Sequence, residues 1–459
     1  MHSNTIAEKD RAHLIHPLVS MRGHERRGPT LLRTGKGVWV EDIQGGRYLD
    51  GFAGLWCVNV GYGQDSIVEA ATKQMKQMPY ATCYFHFGSE PAAELAARLT
   101  ERAPGDLNHV FFTLGGSDAV DSAVKYARFF WSAQGQPQRQ HFVALEKGFH
   151  GSTTVGSGLT ALPVFHRHFH APMPTQHHIR SPFAYRHADG GDPQALIRSS
   201  VTELKEKVRE IGAGNVAAFI CEPVQGSGGV IVPPAGWLKA MRDTCAELDI
   251  LFIADEVITG FGRTGPMFAC EHEGVVPDLM TVAKGLTAGY APMGALFVGD
   301  RVYAGIADGL DEDVPFGHGF TYSGHPVSAA VGLAVLDLYE GGLLENGRRS
   351  GVRFAERLEE LREHPCVGEV RYKGLLAGIE LVSDKSTRRK PDPSFGLSGQ
   401  LFERALSNGI LFRAFGDDVI ALAPALCITT EEVDELFDRL IHTIDTVAQN
   451  NKGAFNAAI

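Results

Sequence analysis

The chain has little cysteine, and none of it is spaced for pairing: seven residues among 459, an odd number with no C-x-x-C. A disulfide scaffold is therefore excluded, and a reducing compartment fits, where cysteine serves as a small buried hydrophobe. Basic charge is also short. Lys and Arg number 43 against 54 Asp and Glu, a formal charge of −11. The chain as a whole lacks the positive field that attracts phosphate backbones or anionic lipids, so neither nucleic acid nor a membrane is an expected partner. No apolar run reaches about 18 residues. The opening MHSNTIAEKDRAHLIHP lacks the charged, apolar and small-residue sections of a secretory signal. The expectation is a soluble, cytoplasmic protein. Internal repeats, low-complexity tracts, a G-x-S-x-G elbow and an H-E-x-x-H zinc motif are absent too. With 44% apolar residues, the chain has ample material for a large core, which excludes disorder.

What is present is a series of short apolar, β-branched runs: Val110 to Leu114, Phe142 to Leu145, Val216 to Cys221, Leu251 to Ala254, Leu279 to Ala283 and Ala295 to Val298. They read as buried strands. Helix-period segments lie between several of them, and Val120, Val124, Ala127 and Trp131 fall on one face of a helix over 117–131. Alternation of this kind implies a mostly parallel, doubly wound sheet covered on both sides. The tail from about residue 325 returns to helical periodicity around short strands near Leu375 to Glu380 and Val419 to Leu422, which suggests a smaller α+β domain.

Ligands of open α/β sheets bind beyond the carboxyl ends of the strands. Here those ends carry Gly115-Gly116-Ser117, Lys147 to His150, Glu222-Pro223, Asp255-Glu256 and Lys284-Gly285. Lys284 is either a snorkelling side chain or a desolvated amine able to attack a carbonyl. Asp255 ends an apolar strand, where a carboxylate needs a facing cation or a structural ion pair. Together, a Lys that can form a Schiff base and an Asp that can pair with a pyridinium nitrogen are what pyridoxal 5′-phosphate requires. Gly116 and Ser117 at a strand-to-helix turn offer amides for its phosphate, although Asp118 and Asp121 in the same stretch oppose an anion. Phe149 could stack on a flat ring or simply pack.

Two motifs point elsewhere. GFGRTG at 260–265 has the G-x-G-x-x-G form of a dinucleotide site, but Asp255 and Glu256 separate it from the strand and no helix start follows. His166, His168 and His170 alternate like one face of an extended segment, yet no metal-ligand partner accompanies them and no metal site is expected.

GGSDAVDSAVK (115–125), FHG (149–151), EPVQGSGGVIVPP (222–234), DEVITGFGRTG (255–265), AKGLTAGYAPMGA (283–295) and HGFTYSGHP (318–326) together resemble a class III aminotransferase of the fold-type I pyridoxal-phosphate group. The likeness runs from about residue 30 to 445, and GLWCVNVGYG (54–63) is similar to the ω-amino acid or amine:pyruvate branch. The resemblance implies a large doubly wound α/β domain over 61–325 and a small α+β domain built from both chain ends, 1–60 and 326–459. It further implies that Lys284 binds the cofactor and moves the proton, that Asp255 pairs with the ring nitrogen, and that Phe149 and Val257 hold the two ring faces. Gly116 and Ser117 would bind phosphate, with Thr321 supplied by the partner subunit of a dimer or dimer of dimers. Glu222 and His150 would lie near the ring. Trp56, Tyr84 and Phe149 would line the substrate pocket, and Arg413 would bind a substrate carboxylate. Phe149 and Gly115 depart from the usual Tyr and Ser of that branch. Ser227 stands where relatives that use 2-oxoglutarate place Glu, which favours pyruvate. The expected function is transfer of an amino group from a primary amine or ω-amino acid to pyruvate. Decarboxylation, racemisation or amino migration on the same Lys–Asp pair, and a dinucleotide-dependent oxidoreductase, are the alternatives.

Overall fold

A computed structural model describes residues 5–189, 191–311 and 313–455 of the protein. Near the N-terminus, β1 (Leu32–Lys36), β2 (Trp39–Asp42) and β3 (Arg47–Asp50) form an antiparallel ribbon. The central sheet follows, built from β4 (His109–Thr113), β5 (His141–Leu145), β6 (Gln176–Ile179), β7 (Val216–Cys221), β8 (Leu251–Asp255), β9 (Leu279–Val282) and β10 (Gly294–Val298). Its spatial order is β4-β10-β9-β8-β7-β5-β6. The remaining strands are β11 (Val367–Tyr372), β12 (Ala377–Leu381), β13 (Ile410–Leu411), β14 (Arg413–Ala414) and β15 (Val419–Leu422). Of these, β13 pairs in parallel with β3, so the ribbon becomes a four-stranded sheet made from distant parts of the chain.

Helices separate most of the central strands, as periodicity predicts. Gly116–Ala133 leads from β4 to β5, Pro193–Ile211 from β6 to β7, and Trp237–Glu247 from β7 to β8. Val120, Val124, Ala127 and Trp131 are all buried and pack on strand residues such as Ile220 and Ile253. Fully burying each valine of that face is worth roughly 1.5–3 kcal/mol. One strand departs from the parallel pattern, for β10 is antiparallel to both β4 and β9. The connection from Val282 to Gly294 is too short for a helical crossover, so the chain can only reverse direction. Sequence periodicity also missed β6, whose polar QHHI run lacks an apolar signature because it sits at the sheet edge.

A second antiparallel sheet, β11-β12-β15-β14, closes the C-terminal part. Helices Leu344–Arg362 and Thr430–Asn450 pack together there, with the Phe354 and Phe437 rings edge-to-face at 5.4 Å. The last helix begins in a reciprocal cap: Glu432 N–H donates to Thr429 Oγ1 at 3.1 Å, and Thr429 N–H donates to Glu432 Oε2 at 3.0 Å. The helical run Pro326–Arg362 has a length and apolar content that would suffice to cross a membrane. Its first half instead packs against helices Asp65–Gln77 and Glu90–Thr100.

The glycine-rich 260–265 segment is a series of turns with no helix opening on it. Its Arg263 is fully buried and donates to Leu375 O at 3.0 Å, Asn59 Oδ1 at 2.7 Å and Pro424 O. That segment ties the central sheet to both chain ends, and the dinucleotide reading has no geometry to support it. The three histidines are not in an extended face either. Pro163–His166 is a helical turn, and His168 and His170 have φ of 70° and 54°.

Replacing Arg263 with Met leaves three buried oxygens without their donor, each costing about 1–3 kcal/mol. Arg263→Met is expected to lower stability by about 3 kcal/mol or more in denaturant unfolding, and an unfolding midpoint equal to wild type would contradict this assignment.

Candidate active site

The site grows from two neighbouring strands. β8 and β9 run in parallel with Asp255 opposite Thr281, so Asp255 ends one strand as Lys284 follows the other. Both strands are buried throughout, which delivers a carboxylate and an amine to the rim of a dry sheet. Lys284 opens a short turn with φ of 22°, and Glu256 N–H donates to Thr281 O at 2.9 Å just beneath it. Burial pushes the Lys284 ammonium down to about 8, while nearby Asp255 and Glu222 pull the other way. Its Nζ lies 5.3 Å from the centre of the Trp56 ring.

Asp255 is held at both oxygens. Val257 N–H donates to Oδ1 at 3.1 Å, and His150 Nδ1 lies 2.8 Å from Oδ2. A carboxylate only accepts, so His150 carries its proton on Nδ1. The opposite ring nitrogen, Nε2, is buried without a partner. Behind them Glu222 accepts from the backbone N–H of Phe149 and of Gly226, each at 2.9 Å. Burial raises the Glu222 carboxyl to about 7 despite those two donors. The result is a fixed loop: Glu222 sets the backbone at Phe149, and the next residue braces Asp255.

The strand-to-helix turn after β4 lies alongside. Helix Gly116–Ala133 has no side chain capping its first turn. A Cβ at Gly116 would meet Val257 Cγ1 at 2.9 Å, and Gly151, at φ of 113°, would meet Ser117 Oγ at 2.7 Å. Ser117 and the 149–152 loop therefore approach closely, with Ser152 N–H donating to Ser117 Oγ at 3.1 Å. Of the two acids that opposed an anion, one has another use. Asp121 accepts from Thr153 Oγ1 at 2.7 Å and Gly156 N–H at 3.0 Å, and burial raises the Asp118 carboxyl.

Trp56 and Arg413 meet through a residue the sequence analysis passed over. Phe415 lies 6.3 Å from Trp56, centre to centre, and the Arg413 guanidinium sits 5.0 Å from the Phe415 ring. Lys284, Trp56, Phe415 and Arg413 thus form a chain of contacts in which two neighbouring rings have a cation at each end. The available signal was the position of Phe415, two residues beyond Arg413 at the end of a short strand. Phe149 is partly buried, its ring edge-to-face with Phe165 at 5.2 Å.

Tyr84, expected to line the substrate pocket, and Thr321, expected to serve a partner subunit's site, make no contact with this group among the described residues. Tyr84 is exposed and lies against the segment containing Gly319, while Thr321 is exposed and accepts from Tyr80 through its carbonyl at 2.9 Å. Asp10, His16 and His24 also converge, but both imidazoles reach the one carboxylate at 3.0 Å and satisfy it among themselves.

The residues fit a flat phosphorylated pyridine aldehyde. The buried Trp56 Nε1, His150 Nε2, Thr281 Oγ1 and Arg413 Nε all lack partners, an accumulation native interiors avoid unless a polar ligand belongs there. An amine, a braced carboxylate, an aromatic ring and an uncapped helix start are its complement.

Comparison with known proteins agrees with this chemistry. Residues 21–444 match the family model for class-III aminotransferases. The putrescine–pyruvate aminotransferase of Pseudomonas aeruginosa is 41% identical over 443 residues, 95% of each chain. An (S)-enantioselective ω-transaminase from Thermomicrobium roseum superposes with a TM-score of 0.93 at 42% identity, over 96% of this chain and 98% of that one. The ω-transaminase of Pseudomonas jessenii, solved with PMP, gives 0.94 at 36% identity, over 97% and 98%.

In the cofactor-free protein, modification of Lys284 by an amine-selective reagent, followed by peptide mass spectrometry, is expected to show a midpoint near pH 8. Asp255→Asn removes a charge that raises the pKa, so the midpoint moves lower; a midpoint at the 10.5 of an ordinary lysine would contradict the desolvated amine.

Proposed function

The chain belongs to the class-III aminotransferases and is a pyridoxal 5′-phosphate enzyme, and from that premise we propose how it moves an amino group from a primary amine or ω-amino acid to pyruvate. The carrying observation is that Lys284 and Asp255 leave adjacent parallel strands at one end of the sheet. Pyridoxal 5′-phosphate, when bound, supplies the aldehyde that takes up the amino group and a ring that withdraws electrons from the substrate carbon.

Lys284 holds the cofactor and, once released and neutral, moves the proton at the substrate carbon. Its lowered pKa serves that step, since a proton carrier works best near the ambient pH. Asp255 keeps the ring nitrogen protonated, and His150 and the Val257 amide fix the carboxylate that does so. Phe149 and Val257 confine the ring between them. Gly116 and Ser117 hold the phosphate at the uncapped helix start, and Glu222 sets the backbone of Phe149. Trp56 forms an apolar wall, and Arg413 grips the carboxylate of pyruvate. Arg413 faces no carboxylate among the described residues, so its charge is free for that purpose. An amine without a carboxylate needs Arg413 to move aside.

Tyr84 and Thr321 complete the site of a second copy in this reading. Tyr80, Tyr84, Phe85 and Phe87 are all exposed, as is Tyr322, whose ring lies 6.0 Å from that of Tyr80, more aromatic surface than a monomer usually presents. A homodimer would bury it and bring Thr321 to the partner's phosphate. The small domain comprises 1–60 and 326–459 and the large cofactor-binding domain 61–325, a division supported by the pairing of β13 with β3. A cytoplasmic location accords with the free cysteines.

Incubating the holoenzyme with β-alanine or 1-phenylethylamine and pyruvate is expected to yield alanine. Borohydride treatment and peptide mapping then place the pyridoxyl label on Lys284; a label elsewhere, or none, overturns the proposal. Arg413→Ala is expected to raise the KM for pyruvate by about 10- to 100-fold, the loss of a charged hydrogen-bonding partner. It should leave the KM for 1-phenylethylamine unchanged or lower, and an equal rise for both would remove Arg413 from carboxylate binding.

A further inference from the structure

Arg413 sits on β14, a strand of only two residues, and reverses into β15 through a tight tip at Phe415 to Asp418. Two backbone bonds close that tip, Phe415 N–H to Val419 O at 2.8 Å and Asp418 N–H to Phe415 O at 3.1 Å. So short a hairpin has little holding strength of its own. Its outer side borders a cavity of about 690 Å³ lined in part by Lys390, Gly416, Asp417 and Asp418, so packing does not fix the tip on that side.

Charge holds it instead. Lys147 Nζ donates to Asp417 Oδ2 at 3.2 Å, Lys390 Nζ lies 3.5 Å from the same oxygen, and Lys390 also donates to the Asp417 carbonyl at 2.6 Å. The two ammonium groups keep the Asp417 carboxyl below the usual carboxylate range despite its partial burial. Lys147 occupies the turn after β5 at φ of 57°, two residues before Phe149. The Lys147–Asp417 pair therefore links the loop of one pocket wall, Phe149, to the hairpin that carries the other, Arg413.

We propose that Asp417 is a positioning residue: held by Lys147 and Lys390, it keeps the β14–β15 tip in place and so sets how firmly Arg413 stands ready for a substrate carboxylate. The inference rests on the reading of Arg413 given above. Releasing the tip weakens carboxylate binding and eases the entry of amines that need Arg413 displaced, without touching Lys284 or Asp255. Lys147 and Asp417 are 40% and 39% exposed, so water screens the pair and its effect is modest. Such pairs shift an equilibrium by up to about fivefold.

The test measures KM and kcat for pyruvate and for 1-phenylethylamine in holoenzyme of wild type, Asp417→Asn, Lys147→Gln, Arg413→Ala and the Asp417→Asn/Arg413→Ala double variant. Asp417→Asn and Lys147→Gln are each expected to raise the pyruvate KM about two- to fivefold, to leave the amine KM unchanged or lower, and to keep kcat near wild type. In the Arg413→Ala background, Asp417→Asn should add nothing to the pyruvate KM, because the group it positions is gone. If Arg413→Ala raises the pyruvate KM but Asp417→Asn leaves it unchanged, the positioning role is overturned and the function stands. If Arg413→Ala itself has no effect, the reading of Arg413 fails first. A fall in kcat with equal rises in both KM values, or a full additive effect in the double variant, would mark general loosening and also overturn the proposal.

Discussion

Taking an amine and a carboxylate out of water at the same sheet edge is the constraint on which the rest of this structure turns. An isolated buried charge is costly, and the protein meets that cost differently at the two groups. Asp255 is satisfied by a backbone amide and an imidazole. At Lys284 burial outweighs the pull of Asp255 and Glu222, and its ammonium form is disfavoured. In the reaction proposed above that difference has a use: the braced carboxylate holds a ring nitrogen, and the amine is close enough to neutrality to accept and return a proton.

The surrounding shell follows from keeping those two groups in place. His150 orients Asp255, and Glu222 fixes the turn from which His150 projects. Asp121 turns away from the helix start to fasten the 153–156 turn, so the acid that looked hostile to phosphate in the sequence serves the loop beside it. On the substrate side, Trp56 is nearly completely buried and carries the line of rings outward to Phe415 and Arg413. Rigid elements thus hold the amine and the carboxylate, while Arg413 is carried on a short hairpin fastened by an ion pair.

Much of the central sheet was legible because its strands are uniformly apolar and its helices carry a regular buried face. Val216–Cys221 has the same limits in sequence and structure, and the other five expected strands differ by a residue or so at their ends. Less legible were elements whose stability comes from partners. The polar edge strand β6 and the two-residue strands β13 and β14 contain too few residues for any periodicity, and exist because β5, β3 and β15 supply their hydrogen bonds. The reversed direction of β10 was likewise a matter of connection length, not composition.

The sequence by itself determined the chemical inventory: which residue types stand at the strand ends, that apolar runs deliver them there, and that Lys284 and Asp255 are one strand apart. Those properties are local, because burial of a strand and the residue that ends it are written in consecutive positions. Tertiary structure alone decided the contacts between distant segments. It brought His150 to Asp255 across 105 positions and Lys147 to Asp417 across 270, and it left Tyr84 and Thr321 on the surface, away from the Lys284 group. Such pairings depend on how whole elements pack against one another, and side-chain spacing along one segment carries no record of the segment it will meet.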